Sequence, residues 1–453
     1  MCGIAAFFGF RAPLHIYKLL IELQHRGQES AGISVLRNRK LFTVVRKGYV
    51  IEAFNPSDLA LTDVYAAVGH VRYSTTGGYM DVGGQPIEVG LKPRMAIAFN
   101  GNIINYRELS HKLRIRKPLT DTEVLAQLIS KLTAENRGDV VEALKELPYY
   151  VVGSYSIAVL TNEPRIVIAR DSKGFKPLSY SCSDRWFVAA SETAALEGVG
   201  VDLWHEVLPG EIVSFDGYSL EKTEAHLSDT PTPCVFEYVY FSRPDSYFNG
   251  VQVHVARVRM GEALAANAPV DADVVIPVPD SGRSSALGFS KVSGIPIDEG
   301  LMRNRYVGRS FIMPPGLREA LSSMKYGVVR DVVRGKRVVL VDDSLIRGTT
   351  MRSIVLLLRR YGVSEVHVRI ASPPIRYPCF MGIDFPTRRE LIASRLKDPA
   401  RIAEALHADS LAYNTLRALV ESIGVCSLCT ACFSGAYPFK NLNIDLLESI
   451  FSR

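Results

Sequence analysis

The hydrophobic and polar positions in the first half of the chain predict short strands and two longer helices. Met95–Phe99 and Arg165–Ala169 are apolar runs of strand length. Leu14–Gln24 carries its apolar residues at helical spacing. Thr120–Glu123 has the Thr-x-x-Glu pattern of a helix start, and helical spacing continues to Leu132.

The pattern changes after Ser228–Pro233, a polar, proline-rich stretch without periodicity that predicts a linker. Val274–Val278, Arg337–Val341 and Val366–Ala371 are short and largely apolar, and Thr350–Tyr361 between the last two has helical spacing. Strand, helix and strand in that order predict a parallel α/β sheet.

These patterns divide the chain of 453 residues, which is too long for one ordinary core, into four parts. We predict an N-terminal domain at 1–227, a linker at 228–250, a parallel-sheet domain at 251–400 and a C-terminal helical segment at 401–453.

Composition excludes several function classes. Hydrophobic residues make up 47% and charged residues 22%, which is typical of a folded, soluble protein. The 53 basic and 47 acidic residues give a net charge of +6 without the dense basic run typical of nucleic-acid or membrane binding. No apolar run reaches the ~18 residues of a membrane span, and no signal-peptide pattern opens the chain. The sequence predicts a cytoplasmic protein with small-molecule substrates.

Cys2 is the most reactive candidate in the N-terminal domain. Removal of Met1 would expose a residue that carries both a thiol and an α-amine, with ordinary pKa values of ~8.5 and ~7.7–8.0, so the amine can act as the general base of the thiol. Alone, Cys2 could be an ordinary small residue after the start codon. The catalytic interpretation is strengthened by four further segments, Gln24–Gly32, Gly69–Gly77, Phe99–Ile103 and Thr120–Glu123.

These segments supply the groups that recognise glutamine. Arg72 offers a guanidinium to a carboxylate, and Asp121 offers a carboxylate to an ammonium. Asn100 and Gly101 offer N–H donors to a tetrahedral oxyanion. Each motif also has an ordinary explanation. Arg72 could form a surface ion pair, Asp121 could cap a helix, and Asn100 with Gly101 could form a turn. Their combination behind an N-terminal cysteine resembles the class II, N-terminal-nucleophile glutamine amidotransferases.

That resemblance implies a fold and a set of roles. The fold is a four-layer αββα sandwich. Cys2 is the nucleophile with its own amine as base, Arg26 supports the nucleophile, and Arg72 and Asp121 bind the two ends of glutamine. This domain does not identify the acceptor of the ammonia, so the second half of the chain must indicate it.

The second half carries a phosphate-binding pattern at the end of an apolar strand. Val338–Val341 leads into Asp342 and Asp343, and open α/β sheets bind ligands at this end of their strands. Gly348–Thr350 is a small-residue loop at a predicted helix start, where backbone N–H groups can bind a phosphate. Receiver domains and Mg²⁺-dependent phosphatases also have strands that end in acids, but neither expects the Arg-Gly-Thr-Thr that follows.

The pattern resembles that of type I phosphoribosyltransferases, which use phosphoribosyl pyrophosphate (PRPP) with Mg²⁺. A second loop after a strand, Asp280–Arg283, offers N–H groups, a hydroxyl and a guanidinium to a pyrophosphate. The predicted Mg²⁺ residues are Ser281, Asp342 and Asp343. The predicted PRPP-binding residues are Asp280, Ser281, Gly282, Arg283, Lys325, Asp342, Asp343, Ser344, Arg347, Gly348, Thr349 and Thr350.

A basic, glycine-containing segment separates the two phosphate loops. We interpret this segment, from Asn304 to Lys325, as a mobile flap that closes on PRPP and excludes water. A plain surface loop is the alternative.

The resemblance of the two halves to these two families, joined in one chain, implies a single reaction. Glutamine, PRPP and water give 5-phosphoribosylamine, glutamate and pyrophosphate, the first committed step of purine synthesis, with ammonia channelled between the sites. The resemblance also implies purine nucleotides as feedback inhibitors and a homotetramer. A non-catalytic PRPP sensor is disfavoured by intact Cys2, Arg72 and Asp121. An amidotransferase with another acceptor is disfavoured by Asp342 and Asp343.

Three of the seven cysteines lie in the short stretch Cys426–Cys432. Thiolates at such spacing bind zinc or an iron–sulfur cluster. The family that joins the two domains has a similar C-terminal segment, and the resemblance implies [4Fe–4S] ligands at Cys234, Cys379, Cys429 and Cys432. Such a cluster would staple linker, transferase domain and C-terminus together. Structural zinc in the same four thiolates is the alternative.

Overall fold

The computed structural model describes residues 2–73, 84–116, 120–225, 230–304, 325–440 and 442–451. Met1, the Ser74–Gly77 part of one glutamine-site segment, the start of the predicted linker and the interior of the predicted flap lie outside the described residues. Among the described helices, none combines the length and the apolar character that crossing a membrane requires.

Two antiparallel sheets are formed by the described strands of the N-terminal half, β1 (Gly3–Phe8), β2 (Ser30–Arg37), β3 (Lys40–Lys47), β4 (Ala66–Arg72), β5 (Ile87–Val89), β6 (Met95–Ile103), β7 (Gly153–Thr161), β8 (Ile166–Arg170), β9 (Ser179–Ser183), β10 (Trp186–Ala190), β11 (His205–Glu206), β12 (Glu211–Phe215) and β13 (Leu220–Glu224). The first sheet has the order β11-β9-β10-β1-β4-β2-β3, and the second has the order β13-β12-β8-β7-β6-β5.

Helices cover the outer face of each sheet, which confirms the predicted αββα sandwich. Ile4 and Val68 of the first sheet and Ala98 of the second share one buried core between the sheets. Helix Ala12–Glu22 packs on the outside of the first sheet and helix Asp121–Glu135 on the outside of the second. The described helices and helical turns of this half are Ala12–Glu22, Gln24–Arg26, Val50–Ala53, Pro56–Leu59, Tyr106–Lys112, Asp121–Glu135, Val140–Tyr150 and Thr193–Gly198.

Local sequence signals explain where these elements begin. Thr120 caps helix Asp121–Glu135 because its hydroxyl accepts a hydrogen bond from the Glu123 N–H at 3.2 Å, as the Thr-x-x-Glu pattern predicts. The predicted helix Leu14–Gln24 is observed as Ala12–Glu22, with Pro13 in its first turn.

A parallel sheet of four strands organises the second half, as predicted, with the order β16-β19-β20-β21. Two pairs of antiparallel strands accompany it, β14 with β15 and β17 with β18. The described strands of this half are β14 (Tyr247–Phe248), β15 (Val251–Gln252), β16 (Val274–Pro277), β17 (Leu301–Arg303), β18 (Tyr326–Val328), β19 (Arg337–Asp342), β20 (Glu365–Ile370) and β21 (Ser410–Tyr413).

Both faces of the parallel sheet are buried, which explains its continuous apolar runs. Along β19, Val338 and Leu340 join the core on one face, whereas Val339 and Val341 join the core on the other. The described helices and helical turns of this half are Glu237–Phe241, Val253–Asn267, Arg283–Ser293, Arg330–Val333, Thr349–Arg360, Arg388–Glu390, Ile392–Leu396, Pro399–Leu406, Leu416–Ile423, Ala431–Ser434 and Ile444–Phe451.

The parallel sheet continues into the segment predicted to be helical. Strand β21 pairs with β20 at the sheet edge, and helix Leu416–Ile423 packs against helix Val253–Asn267. The predicted domain boundary at residue 400 stays a prediction, but hydrogen bonding carries the sheet to Tyr413.

Candidate active sites

Cys2 lies directly before β1 and contacts the second sheet of the sandwich at Asn100. Its backbone nitrogen donates a hydrogen bond to Asn100 Oδ1 at 3.1 Å, and its carbonyl accepts one from Arg26 Nε at 3.0 Å. This nitrogen becomes the α-amine once Met1 is removed. The Cys2 thiol lies 3.5 Å from the Tyr73 carbonyl oxygen. Nucleophile, amine and Asn100 therefore share one site.

Asn100 and Gly101 lie inside β6, where they pair with Ser156 and Tyr155 of β7, although the sequence had placed them just after a strand. Asn100 is fully buried, and none of the described residues accepts a hydrogen bond from its side-chain nitrogen. A buried donor of this kind is costly unless a ligand satisfies it. Its position suits an oxyanion that forms on a carbonyl attacked by Cys2.

Gly101 has a packing role in addition to its predicted one. A Cβ at this position would lie 2.0 Å from the Ser154 carbonyl oxygen on β7. Any larger residue would therefore push β6 and β7 apart, whatever Gly101 contributes to an oxyanion.

The two predicted glutamine-binding residues are positioned by two different strands, β4 and β6. Gly3 pairs with Val71 on β4, so the chain register brings Arg72 beside Cys2. Asp121 is held by β6, because its carboxylate accepts hydrogen bonds from the Ile103 N–H at 3.0 Å and the Thr122 N–H at 2.9 Å.

Replacing Asn100 with alanine is expected to lower the kcat for glutamine hydrolysis by ~10²–10³-fold, the usual effect of losing one oxyanion donor. The reaction with added ammonia should keep its rate, since no oxyanion forms there. Steady-state glutamate release measured beside ammonia-dependent pyrophosphate release tests this. Equal losses in both reactions would contradict the assignment.

Arg26 belongs to a buried ion network that the sequence did not reveal. Its guanidinium lies 2.5 Å from Glu192 Oε1 and 3.0 Å from Glu237 Oε1, and all three side chains are almost fully buried. Burial alone would lower the pKa of Arg26, but the carboxylates of Glu237 and Glu192 outweigh burial and raise it. Such a network keeps the Arg26 donor fixed on the Cys2 carbonyl.

Glu237 connects this network to the second half of the chain. Its carboxylate accepts a hydrogen bond from Ser242 Oγ at 2.9 Å. Arg257 then donates to the Ser242 carbonyl at 2.9 Å and to the Tyr238 carbonyl at 2.7 Å. One sequence signal could have indicated this network: Glu237 is the single carboxylate within the aromatic run Phe236–Phe241, and a buried Glu requires a partner.

Asp342 and Asp343 lie where β19 ends, as predicted, and form an acidic pair. Burial, followed by the neighbouring Asp343, raises the pKa of Asp342 well above its usual range. Burial also raises the pKa of Asp343, although hydrogen bonds from Ser281 and Ser344 and the charge of Arg257 oppose the effect. Two adjacent carboxylates, Asp343 buried and Asp342 partly exposed, are a fitting donor set for a divalent cation or for ribose hydroxyls.

Glycines shape the two predicted phosphate loops. Gly348 has a φ of +80° at the start of helix Thr349–Arg360, and a Cβ there would lie 2.7 Å from Ile392. A Cβ at Gly282 would lie 2.5 Å from the Val341 carbonyl oxygen. The loop after β16 is therefore pressed against β19, which places Ser281 beside Asp343.

The basic residues of these loops are paired with acids in this structure. Arg283 forms an ion pair with Glu299, and Arg347 forms one with Glu390. Asp280 lies 3.4 Å from Arg303. A phosphate ligand would have to displace these carboxylates, which the sequence could not indicate.

Lys325 lies where the predicted flap ends. The Lys325 carbonyl accepts a hydrogen bond from the Asn304 N–H at 2.8 Å, and Arg303 pairs with Tyr326 across β17 and β18. The two ends of the flap are thereby tied together, whereas its interior lies outside the described residues.

The four predicted cluster cysteines come together from three distant segments. The backbones of Cys234 and Cys429 pair in an isolated parallel β-bridge, and the Cys429 N–H donates to the Pro233 carbonyl at 2.9 Å. The Cys432 carbonyl accepts a hydrogen bond from the N–H of Tyr377, which lies two residues before Cys379. Burial raises the pKa of all four thiols, to about 11 for Cys234.

The cysteine charges also act on one another. The charge of Cys379 raises the pKa of Cys234, and the charges of Cys234 and Cys379 raise that of Cys429. Within the described parts of the chain, however, no three His, Cys, Asp or Glu side chains are arranged to hold a metal ion. The donors have the chemistry of an iron–sulfur or zinc site, but they do not form a closed single-ion site.

Known proteins resemble this chain over nearly its whole length. The family model described as "Glutamine amidotransferase domain" matches residues 70–198. The amidophosphoribosyltransferase of Archaeoglobus fulgidus is 43% identical and covers 97% of this chain and 98% of its own. That of Bacillus subtilis is 41% identical and covers 96% and 94%.

Solved structures agree. Glutamine PRPP amidotransferase from B. subtilis complexed with ADP and GMP superposes with a TM-score of 0.88 at 40% identity, covering 98% of this chain and 99% of that one. A second structure, described as the allosteric regulatory enzyme of purine biosynthesis, gives 0.89 at 39% identity and covers 99% of both chains. Because this identity extends over nearly the whole length, the chain belongs to the amidophosphoribosyltransferase family.

Proposed function

We propose that this chain divides the first step of purine synthesis between two sites, one at Cys2 and one at Asp342 and Asp343. The observation that carries the proposal is the position of Cys2, whose nitrogen and thiol lie beside the unsatisfied Asn100 donor. A non-catalytic sensor has no use for this arrangement. Overall, glutamine, PRPP and water give 5-phosphoribosylamine, glutamate and pyrophosphate.

At the glutamine site, the Cys2 thiol passes its proton to its own α-amine and attacks the side-chain amide carbon of glutamine. The oxyanion that develops accepts hydrogen bonds from Asn100 Nδ2 and the Gly101 N–H. The ammonium of Cys2 returns the proton to the departing ammonia, and water then hydrolyses the thioester to glutamate. Arg72 and Asp121 hold the carboxylate and the ammonium of the substrate.

At the second site, ammonia attacks C1 of the ribose and pyrophosphate leaves. Asp342 and Asp343 would hold the ribose hydroxyls and, with Ser281, a Mg²⁺ that neutralises charge on the pyrophosphate. The backbone N–H groups from Gly348 to Thr350 would bind the 5-phosphate. Arg283 and Lys325 would bind the pyrophosphate, and Arg283 would exchange its partner Glu299 for the substrate.

Ammonia would pass between the sites without entering solvent. Direct contacts join the two halves beside Asn100, since Asn102 Nδ2 donates to the Phe380 carbonyl at 2.7 Å and Ser154 Oγ donates to the Met381 carbonyl at 3.0 Å. Closure of the predicted flap would complete the passage.

Isotope transfer tests the channel. Glutamine labelled with ¹⁵N in its amide is supplied with PRPP and Mg²⁺ in the presence of excess unlabelled ammonia, at a pH where ammonia alone reacts slowly. The product should carry mainly ¹⁵N. Nitrogen at the isotope ratio of the bulk ammonia would contradict channelling.

We propose a [4Fe–4S] cluster on Cys234, Cys379, Cys429 and Cys432. Its support is the donor set, four thiols from buried or partly buried cysteines that influence one another electrostatically. Bound there, the cluster would act as a structural staple. Zinc is the competing occupant, and zinc without sulfide in anaerobically prepared protein would establish it.

One relative supports a proposal about regulation. The B. subtilis structure contains ADP and GMP, so we propose purine nucleotides as feedback inhibitors of this chain. The homotetramer and the cytoplasmic location stay predictions.

A further inference from the structure

Lys176 is a lysine without solvent exposure, and the reaction described above does not use it. Its relative accessibility is 0%, and fully buried lysines are rare unless they are paired. It lies between β8 and β9 on the N-terminal domain, on the side that faces the second half of the chain.

The loop that carries Lys176 is held firmly. The buried Asp171 accepts hydrogen bonds from the N–H groups of Tyr155, Lys173 and Phe175 at 3.0, 3.0 and 3.3 Å. Gly174 has a φ of +63°, and its carbonyl accepts a hydrogen bond from the Arg170 guanidinium at 2.7 Å. The position of Lys176 is therefore set by the N-terminal domain.

The loop meets the cysteine site directly. The Cys234 N–H donates to the carbonyl of Phe175, next to Lys176, at 3.2 Å. On the other side of the site, the N–H of Met381, the residue before Gly382, donates to Cys379 Sγ at 3.4 Å.

Lys176 also lies close to the glutamine site. A Cβ at Gly382 would lie 3.2 Å from the Gly101 carbonyl oxygen and 3.6 Å from Lys176 Cε. The side chain of Lys176 therefore lies against the segment Cys379–Gly382, which also contacts the predicted oxyanion glycine.

We propose that Lys176 is the counter-charge of the four-cysteine site, supplied to it by the N-terminal domain. The inference rests on the proposed cluster. Four thiolates around a [4Fe–4S] core leave a net negative charge in a buried place, and such a charge is stable only when it is paired. Lys176 is then a positioning residue that joins the glutaminase domain to the cluster staple.

The test compares K176M with K176R and the wild type, all purified anaerobically. Iron, sulfide and zinc are measured per chain, and loss of visible absorbance is followed in air. K291M is the charge control, since Lys291 is largely exposed and paired with Glu262. We expect K176M to lose the cluster about tenfold faster and K176R and K291M to match the wild type, because only K176M leaves the buried anion unpaired.

The midpoint potential gives a second readout, because the net charge near a cluster sets it. The cluster that remains in K176M should be harder to reduce than that of the wild type. If K176M does not fold, K176Q, which removes the charge but keeps a polar end, takes its place.

The possible results separate the role of Lys176 from the presence of the cluster. A K176M cluster with wild-type lifetime and potential would overturn the role of Lys176, as would equal damage in K176R. A wild-type protein without iron and sulfide would instead contradict the proposed cluster itself.

Discussion

Replacing Cys2 with alanine is expected to abolish glutamine-dependent synthesis while ammonia-dependent synthesis continues. Loss of the nucleophile should reduce glutamate release by at least ~10⁴-fold, since nothing else in the site can form the thioester. Pyrophosphate release from PRPP with added ammonia should stay near the wild-type rate, because ammonia then enters the second site directly.

Intact mass spectrometry is the control for this experiment. Both proteins should lack Met1, since an N-terminal amine on residue 2 is part of the mechanism. Full activity in a wild-type protein that retains Met1 would refute the amine as base. Loss of both reactions in C2A would show that the two sites are not independent.

Replacing Asp343 with asparagine should impair synthesis and spare basal glutaminase, the opposite of the Cys2 replacement. Pyrophosphate release should fall by ~10³-fold with either nitrogen source, equivalent to ~4 kcal/mol of transition-state stabilisation. Basal glutaminase should remain, but PRPP should no longer stimulate it. Both nitrogen sources are compared at saturating PRPP and Mg²⁺.

Thermal unfolding of the ligand-free D343N protein separates catalysis from folding. Because burial already disfavours the charge on this carboxyl, the variant should be at least as stable as the wild type. D342N, the matched neighbour, should behave similarly. Synthesis that survives in both variants would contradict the assignment of this site.

Much of the fold was predictable because local signals and burial agree. Thr120 caps its helix as its spacing predicts, and the apolar run of β19 is buried on both faces. Asn100 and Gly101 are different. Their Asn-Gly sequence is typical of a turn, but in the structure both residues pair with β7. Local sequence cannot predict this long-range pairing.

The partners of the site residues could not be predicted. Glu192 and Glu237 reach Arg26 from positions more than 160 residues away along the chain. The pairing of Arg283 with Glu299 likewise depends on the tertiary fold. The sequence supplies the chemistry of a site, whereas its counter-charges follow from the packing of distant segments.

The central claim, two coupled sites in one chain, is tested most directly by glutamate release with and without PRPP and Mg²⁺ in anaerobically purified protein. We predict strong stimulation by PRPP with Mg²⁺, together with one pyrophosphate for each glutamate. Glutaminase that is indifferent to PRPP would contradict the account.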